Sequence, residues 1–330
     1  MRAYIATVGG EPSVMAVSPR SSAWCIPFPP EPPPGATLKS HNEPDHPVGL
    51  VCYWGFQSSF ALLDRRMNPL SIATWNINSV RLRQGLVADY LTSHIPDVLC
   101  LQEIKCRSGE FPLGAFTDLG YVHHHIVGQK GWHGVAILSR MPLQPLDDPG
   151  FCRRGEARVA VAIVGDLEIH NLYVPAGGDI ADPDENDKFA HKLDFLGRMK
   201  RFYAERNQNR PLAIAGDFNV APGEFDVWSH KQLLDVVSHT PIETETLDAI
   251  LSDGEFVDLV RQAIAIPEKP FTWWSYRSAD WTKNDRGRRL DHIWATQPVA
   301  QRLISVDILK DARAWTKPSD HVPLIARFAP

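Results

Sequence analysis

Eight stretches of the chain carry apolar runs of strand length. They are 70–77 (LSIATWNI), 97–103 (DVLCLQE), 134–139 (GVAILS), 157–164 (ARVAVAIV), 167–174 (LEIHNLYV), 212–218 (LAIAGDF), 290–296 (LDHIWAT) and 323–328 (PLIARF). Such runs, bounded by turn-forming residues, predict β-strands. Helical spacing is rarer. In 79–94, Leu86, Val87, Tyr90 and Leu91 fall on one face, and in 188–207 Phe189, Leu193, Leu196, Met199 and Tyr203 do the same. A third helix is expected over 255–264. Many strands with helices at irregular intervals predict an α/β fold in which sheet packs on sheet with helices outside. A regular βα alternation is missing, which argues against a TIM barrel, and no internal repeat is visible.

Residues 1–66 break this pattern. They hold 10 of the 27 prolines, including PFPPEPPPG at 27–35, and keep neither helical nor strand period. Proline removes backbone donors and resists the helix, so the segment is expected to be a disordered extension. Met67 then opens MNPLSIATWNIN as a fresh start, which allows a mis-called start upstream. The apolar stretch GLVCYWGFQSSFALL (49–63) has no evident place. Residues 67–330 are expected to form one catalytic domain.

Composition narrows the class. Of 330 residues, 44% are hydrophobic and 22% charged, and the net charge is −5. Any phosphate-binding surface must therefore be a local patch. Cys25, Cys52, Cys100, Cys106 and Cys152 are scattered without a C-x-x-C, which predicts neither a disulfide framework nor a zinc ribbon. No apolar run approaches the roughly 20 residues of a membrane span, and the first residues lack a signal-peptide core. These features predict a cytoplasmic protein, and it is expected to act as a monomer.

Polar residues recur at the ends of the apolar runs. TWNIN carries Asn76 and Asn78, LCLQE ends in Glu103, and Tyr173 precedes Pro175. In AIAGDFNVAP, strand alternation puts Asp217 and Asn219 on one face and Phe218 on the other. Asp291 opens a strand, and Asp320 and His321 stand before the last one. Each alone reads as a turn cap, a surface acid or a core histidine. Together they offer oxygen ligands for a hard cation, a His–Asp pair, a phenol and amides. Mg²⁺ takes one or two carboxylates plus substrate phosphate oxygens. Glu103 suits the main ligand, with Asn76 or Asn78 near it. Asp217 suits a base for water, and Asn219 a donor to developing charge. His321 suits a phosphate donor held by a carboxylate, and Tyr173 a phenol or a phenolate beside the metal.

The segments ATWNINSVRLR, DVLCLQEIKC, GQKGWHGVAILS, NLYVPAGG, AGDFNVAP, FTWWSYR, RLDHIWAT and KPSDHVPL occur in an order that resembles exonuclease III-type apurinic/apyrimidinic endonucleases, within the endonuclease/exonuclease/phosphatase superfamily. The resemblance runs from about residue 70 to the C-terminus. It implies a four-layer α/β sandwich of two mixed sheets. It also implies a Mg²⁺-dependent DNA repair hydrolase, with Mn²⁺ as a substitute, that acts on double-stranded DNA at abasic sites and 3′ ends. By resemblance Tyr173, Asp217, Asn219, Asp291 and His321 are catalytic. Asn76, Glu103, Asp217, Asn219, Asp320 and His321 surround the metal. Asn78, Arg81, Lys130, Trp273, Arg288 and Leu290 contact substrate, with Trp273 and Leu290 walling the pocket for a base-less sugar.

Departures are visible. Ala176 stands where many relatives carry Asn or Gln, Ser79 where glycine is usual, and Arg288 where some have an apolar pocket residue. Lys105, Arg107, Lys130, Arg153, Arg154, Arg286, Arg288 and Arg289 lie near the motifs and suit phosphate contacts. The histidine run 123–125 with His133 is a weak zinc signal, since consecutive strand residues face opposite ways. Gly128, Gly131 and Gly134 read as turn glycines near phosphate. Two other readings compete. One is an inositol-phosphate or sphingolipid phosphodiesterase, disfavoured by WWSYR and the YVPAGG tyrosine. The other is a DNA-binding relative without catalysis, disfavoured by the intact set of acids and amides.

Overall fold

The computed structural model of the protein describes residues 70–277 and 280–330. The expected extension over 1–66 and the segment 49–63 lie outside the described residues. The first half of the fold runs β1 (Leu70–Asn76), α1 (Gln84–His94), β2 (Val98–Gln102), α2 (Gly114–Thr117), β3 (His123–Val127), β4 (Val135–Ser139), β5 (Leu143–Leu146) and β6 (Val159–Val164). It continues through β7 (Leu167–Tyr173), α3 (Asp187–Ala204), β8 (Leu212–Asp217), α4 (His230–Leu233), α5 (Pro241–Asp253), β9 (Phe256–Asp258) and α6 (Leu259–Ala263). Last come α7 (Trp281–Asn284), β10 (Asp291–Thr296), α8 (Gln297–Ala300), β11 (Leu303–Ile308) and β12 (Leu324–Phe328).

Two six-stranded mixed sheets result, ordered β11-β12-β1-β2-β4-β3 and β5-β6-β7-β8-β10-β9. Each has a single parallel pair near its centre, β1 with β2 and β7 with β8. The sheets face each other through Ile72, Val98 and Ile137 on one side and Ala162, Ile169, Ala213 and Ile293 on the other. The outward face of the first sheet packs Trp75 and Leu101 against Val87, Tyr90 and Leu91 of α1. The outward face of the second packs Leu172, Ile214 and Trp294 against Phe195, Met199 and Tyr203 of α3 and Leu247 of α5. Central strands are thus covered on both faces, which is why they read as continuous apolar runs. The four-layer sandwich implied by the resemblance is the fold observed.

A buried polar bridge joins the sheets. Gln102 Nε2 donates to Thr74 Oγ1 (2.9 Å) and Asn171 Oδ1 (2.7 Å), while Asn171 Nδ2 donates to the carbonyls of Leu101 and Ala136. Gly216 marks another close approach. A Cβ there would stand 2.0 Å from the Leu172 carbonyl oxygen, so only glycine lets β8 lie against β7 just before Asp217.

Three helix expectations need correction. The first helix starts only at Gln84, because Asn78 (φ 48°) and Ser79 (φ 85°) turn the chain sharply after β1. The expected helix over 255–264 is a three-residue strand, β9, followed by α6. On α3 the buried stripe includes His191, Lys192 and Phe195, with Leu193 only half-buried. Helix α5 was not anticipated, although Thr240-Pro241-x-Glu243 is a capping box with proline at the first helical position. Ser79 occupies the left-handed region that glycine tolerates without a Cβ clash. Ser79→Gly is expected to raise stability by up to about 1 kcal/mol, read as a higher melting temperature at unchanged cleavage rate.

Candidate active site

The strand directions bring the polar rim residues to one end of both sheets. Asn76 ends β1, Glu103 follows β2, Tyr173 ends β7 and Asp217 ends β8. Asp291 opens the antiparallel β10 opposite Asp217, and Tyr173 stands opposite Asp217 on the other side. Asp320 and His321 arrive just before β12, which pairs antiparallel with β1. Ser319 Oγ donates to the Asn76 carbonyl (2.6 Å), and Trp75 Nε1 donates to that of His321 (3.0 Å), fixing this loop.

Asn76, fully buried, links the sheets. Its Nδ2 donates to Glu103 Oε1 (2.9 Å) and to Asp217 Oδ2 (2.9 Å), while its Oδ1 accepts from the Asn78 amide. In this arrangement Asn76 positions two carboxylates rather than offering them a competing oxygen. Glu103 Oε2 pairs with Lys105 Nζ at 2.8 Å, and that ammonium also donates to Asn78 Oδ1 (2.6 Å). Lys105, read from sequence as a phosphate contact, is therefore engaged inside the site. Burial opposes the Glu103 charge, but Lys105, the Asn76 amide and the Tyr173 hydroxyl hold its pKa below the usual value. Burial and the charges of Glu103 and Asp217 push the Tyr173 phenol well above its ordinary range. Without a metal ion this keeps Tyr173 a neutral phenol that donates to Glu103. Arg158 lies over the Tyr173 ring, 4.8 Å from its centroid.

Asp217 and Asn219 do share one side, but alternation is not the reason. The strand stops at Asp217, and Asn219 turns back with φ 52°. Its amide N–H donates to Asp217 Oδ1 (2.9 Å), and its Nδ2 donates to Asp217 Oδ2 (3.2 Å) and the Val174 carbonyl (2.9 Å). Both side-chain amide hydrogens are engaged, so in this arrangement Asn219 orients Asp217. Buried Lys192 holds the turn from behind, donating to the Asn219 carbonyl (2.7 Å) while ion-paired with buried Glu243. Phe218 points away into the core, stacked on His292 and edge-on to Trp294.

His321 Nδ1 lies 2.8 Å from Asp291 Oδ2, and its Nε2 lies 3.7 Å from Asp217 Oδ2. Burial disfavours the imidazolium, but Asp291 and Asp217 outweigh it and raise the pKa to about 10. A histidine charged at neutral pH donates through both ring nitrogens. Burial, with Asp291 and Glu103 adding to it and His321 opposing, raises Asp217 to about 7. Asp320 accepts from Asn78 Nδ2 (3.0 Å) and Trp273 Nε1 (3.0 Å); burial opposes its charge, and His321 with these donors holds it low.

The carboxylates Glu103, Asp217, Asp291 and Asp320 thus outnumber their cations Lys105 and His321. An oxygen-rich, net negative donor set of this kind fits a hard divalent cation.

Beside these groups opens a cleft of about 650 Å³ whose lining includes Trp273, Leu290, Arg288, Trp228, Trp281 and Arg286. Arg288 is anchored through Nη1 on the Val237 carbonyl (3.0 Å) and Ser238 Oγ (2.6 Å), and packs on Trp273. Arg286 packs on Trp228. Ala176 lines the same cleft. Lys130 is exposed, and Arg81 is exposed at 3.7 Å from Glu110. Among the other arginines, Arg154 pairs with Asp187, while Arg289 is buried between Asp226 and Asp258 and cannot face a phosphate. A Cβ on Gly128 or Gly134 would collide with residues 106–108 or with Ile104, so these glycines serve packing. Among the described residues, the metal-like groupings are Asp217–Asp291–His321 and Cys152–Glu156–His191, and neither includes the histidines at 123–125. The second grouping escaped the sequence reading because His191 joins it from α3, some 35 residues beyond Cys152 and Glu156, with no motif spacing.

The protein is similar to known nucleases over most of its length. Exodeoxyribonuclease III of Haemophilus influenzae is 32% identical over 279 residues, spanning 78% of this chain and 100% of the relative. A DNA repair nuclease of Danio rerio is 28% identical over 298 residues, spanning 88% of this chain and 92% of the relative. Among solved structures, an AP endonuclease from Archaeoglobus fulgidus superposes with a TM-score of 0.74 at 33% identity, covering 78% of this chain and 99% of that one. A 3′-5′ exonuclease from Neisseria meningitidis gives 0.73 at 30% identity, covering 79% and 100%. The model of the Endonuclease/Exonuclease/phosphatase family matches residues 73–321, and this chain is a nuclease belonging to that family.

Proposed function

We propose that the protein is a Mg²⁺-dependent DNA repair nuclease that cleaves duplex DNA at abasic sites and trims 3′ ends. The observation that carries this reading is the junction of the two sheets. There Asp217, the Asp291–His321 pair and Glu103 converge beside a cleft lined with tryptophan and arginine. Relatives share the chemistry their names state: an AP endonuclease, a 3′-5′ exonuclease, and a Neisseria 3′ phosphatase solved with a product DNA hairpin.

Glu103, with Asp217 and Asp320 nearby, would hold the Mg²⁺ ion. When bound, the metal supplies Lewis-acid polarisation of the phosphate and neutralises charge on its oxygens. Asp217, held by Asn76 and Asn219, takes a proton from water as the water oxygen bonds to phosphorus. The bond from phosphorus to the leaving sugar oxygen breaks in line, and that oxygen takes a proton from solvent to leave as a hydroxyl. His321 Nε2–H donates to a phosphate oxygen, with Asp291 fixing the ring through Nδ1. The neutral Tyr173 hydroxyl holds Glu103 at the phosphate side. Arg286 and Arg288 favour an anionic backbone, and the Trp273–Leu290 wall favours an apolar sugar face. Arg81 and Lys130 extend this surface outward. We place the activity in residues 67–330, acting as a cytoplasmic monomer with Mn²⁺ as a substitute ion.

The decisive assay uses a duplex oligonucleotide with one abasic site, with Mg²⁺ and with chelator. Incision at that site and shortening from 3′ ends, both abolished by chelator, are expected. An intact duplex at high enzyme and Mg²⁺, or cleavage of only non-nucleic-acid phosphodiesters, would reject the reading.

A further inference from the structure

Cys152 and Glu156 lie in the connection between β5 and β6, and His191 lies on α3. Their ligating atoms all fall within 4.8 Å of one another. Cys152 Sγ is 3.4 Å from His191 Nε2, and Glu156 Oε2 is 4.0 Å from His191 Nδ1. In a tetrahedral Zn²⁺ site, with bonds of about 2.3 Å to sulfur and about 2.0 Å to nitrogen, the two donors stand roughly 3.5 Å apart. The sulfur–nitrogen pair already has that spacing. Glu156 Oε2 approaches the other ring nitrogen, Nδ1, so the carboxylate has to swing toward the Nε2 side to share one ion with Cys152, within a set whose ligand atoms span 4.8 Å.

We infer that Cys152, Glu156 and His191 form a second metal site, selective for Zn²⁺ and distinct from the oxygen-rich catalytic centre. The donor chemistry sets the selectivity: thiolate and imidazole favour Zn²⁺, whereas Mg²⁺ prefers oxygen. Cys152 and Glu156 are half-buried, so an ion can enter and a water can complete the tetrahedron. Glu156 is shared with Arg158 (2.6 Å) and faces His133 (3.7 Å), which orient the carboxylate and also compete for it. Thiolate, carboxylate and Zn²⁺ together are neutral, so binding releases the thiol proton and cancels the negative charge that Glu156 presents to Arg158. A bound ion clips the β5–β6 connection to α3, the helix whose Lys192 supports the Asn219 turn.

The test is a Zn²⁺ titration of the full chain in excess Mg²⁺, with zinc X-ray absorption and melting curves, for the parent, Cys152→Ser and His191→Gln. The parent is expected to bind one equivalent with a sulfur neighbour and to melt at higher temperature with Zn²⁺. Each variant is expected to weaken binding by about 100-fold or more and to lose the zinc-dependent melting shift. A bound zinc without a sulfur neighbour, zinc displaced by Mg²⁺, or parental affinity in both variants would overturn the site. The parent spectrum decides on its own should either variant fold poorly.

Discussion

Glu103→Gln is expected to reduce DNA cleavage by about 10³-fold or more and to shift the Mg²⁺ requirement upward, with the fold retained. Glu103 is held ionised by Lys105 and the donors around it, so a cation meets a ready negative oxygen without first displacing a proton. The amide isostere removes that charge while preserving shape. Losing several kcal/mol of metal-assisted charge stabilisation corresponds to this rate change at about 1.4 kcal/mol per decade. Folding should survive because Glu103 sits at the strand end, outside the apolar layers, and Lys105 keeps its contact to Asn78. Single-turnover rates across a Mg²⁺ series, beside melting curves, make the comparison. Near-parental turnover at low Mg²⁺ would remove Glu103 from the metal centre.

Legibility of the fold followed burial. The eight apolar runs read from sequence correspond to β1, β2, β4, β6, β7, β8, β10 and β12, all interior strands of the two sheets. The four strands missed, β3, β5, β9 and β11, are the four sheet edges. Edge strands are covered incompletely, so their residues alternate or drift toward polarity: β5 is half-buried or exposed throughout, and β11 likewise. Helix α5 carried a legible capping signal, but its apolar stripe is weak because Glu243 is one of its buried residues.

The site was legible where a polar residue ended an apolar run, because the run located the strand and its end located the rim. It was not legible where support came from elsewhere in the chain. Lys192 and Glu243 look like surface charges in sequence, yet they form a buried ion pair behind the Asn219 turn. Arg289 sits among basic residues in sequence, but Asp226 and Asp258, both distant, draw it inward. The Asp217–Asn219 relation was right in outcome and wrong in cause, since one residue in the left-handed region places a side chain as effectively as strand alternation does.

Asp217→Asn and Phe218→Ala are expected to fail in opposite ways, though the residues are adjacent. Asp217→Asn keeps the shape but removes the proton acceptor, and it turns one accepting oxygen into an NH₂ that faces an Asn76 or Asn219 donor. Turnover should fall by about 10²–10⁴-fold, the usual worth of general base catalysis, while DNA affinity holds. Its effect on stability has a definite sign in metal-free buffer. The folded pKa of about 7 lies above the unfolded value of roughly 3.9. The native state therefore holds the extra proton between these values, and parental stability falls as pH rises from about 4 to 7. The asparagine variant loses that dependence, so relative to the parent it should gain melting temperature on going from pH 4 to pH 8. Phe218→Ala instead opens a cavity against His292 and Trp294, at a cost of about 3–5 kcal/mol at all these pH values. Cleavage per folded molecule should fall far less than in Asp217→Asn. Single-turnover cleavage, DNA affinity and chelator-treated melts at both pH values separate the two. An Asp217→Asn protein that cleaves normally, or a Phe218→Ala protein that melts like the parent, would reverse the assignment of acid to chemistry and ring to core.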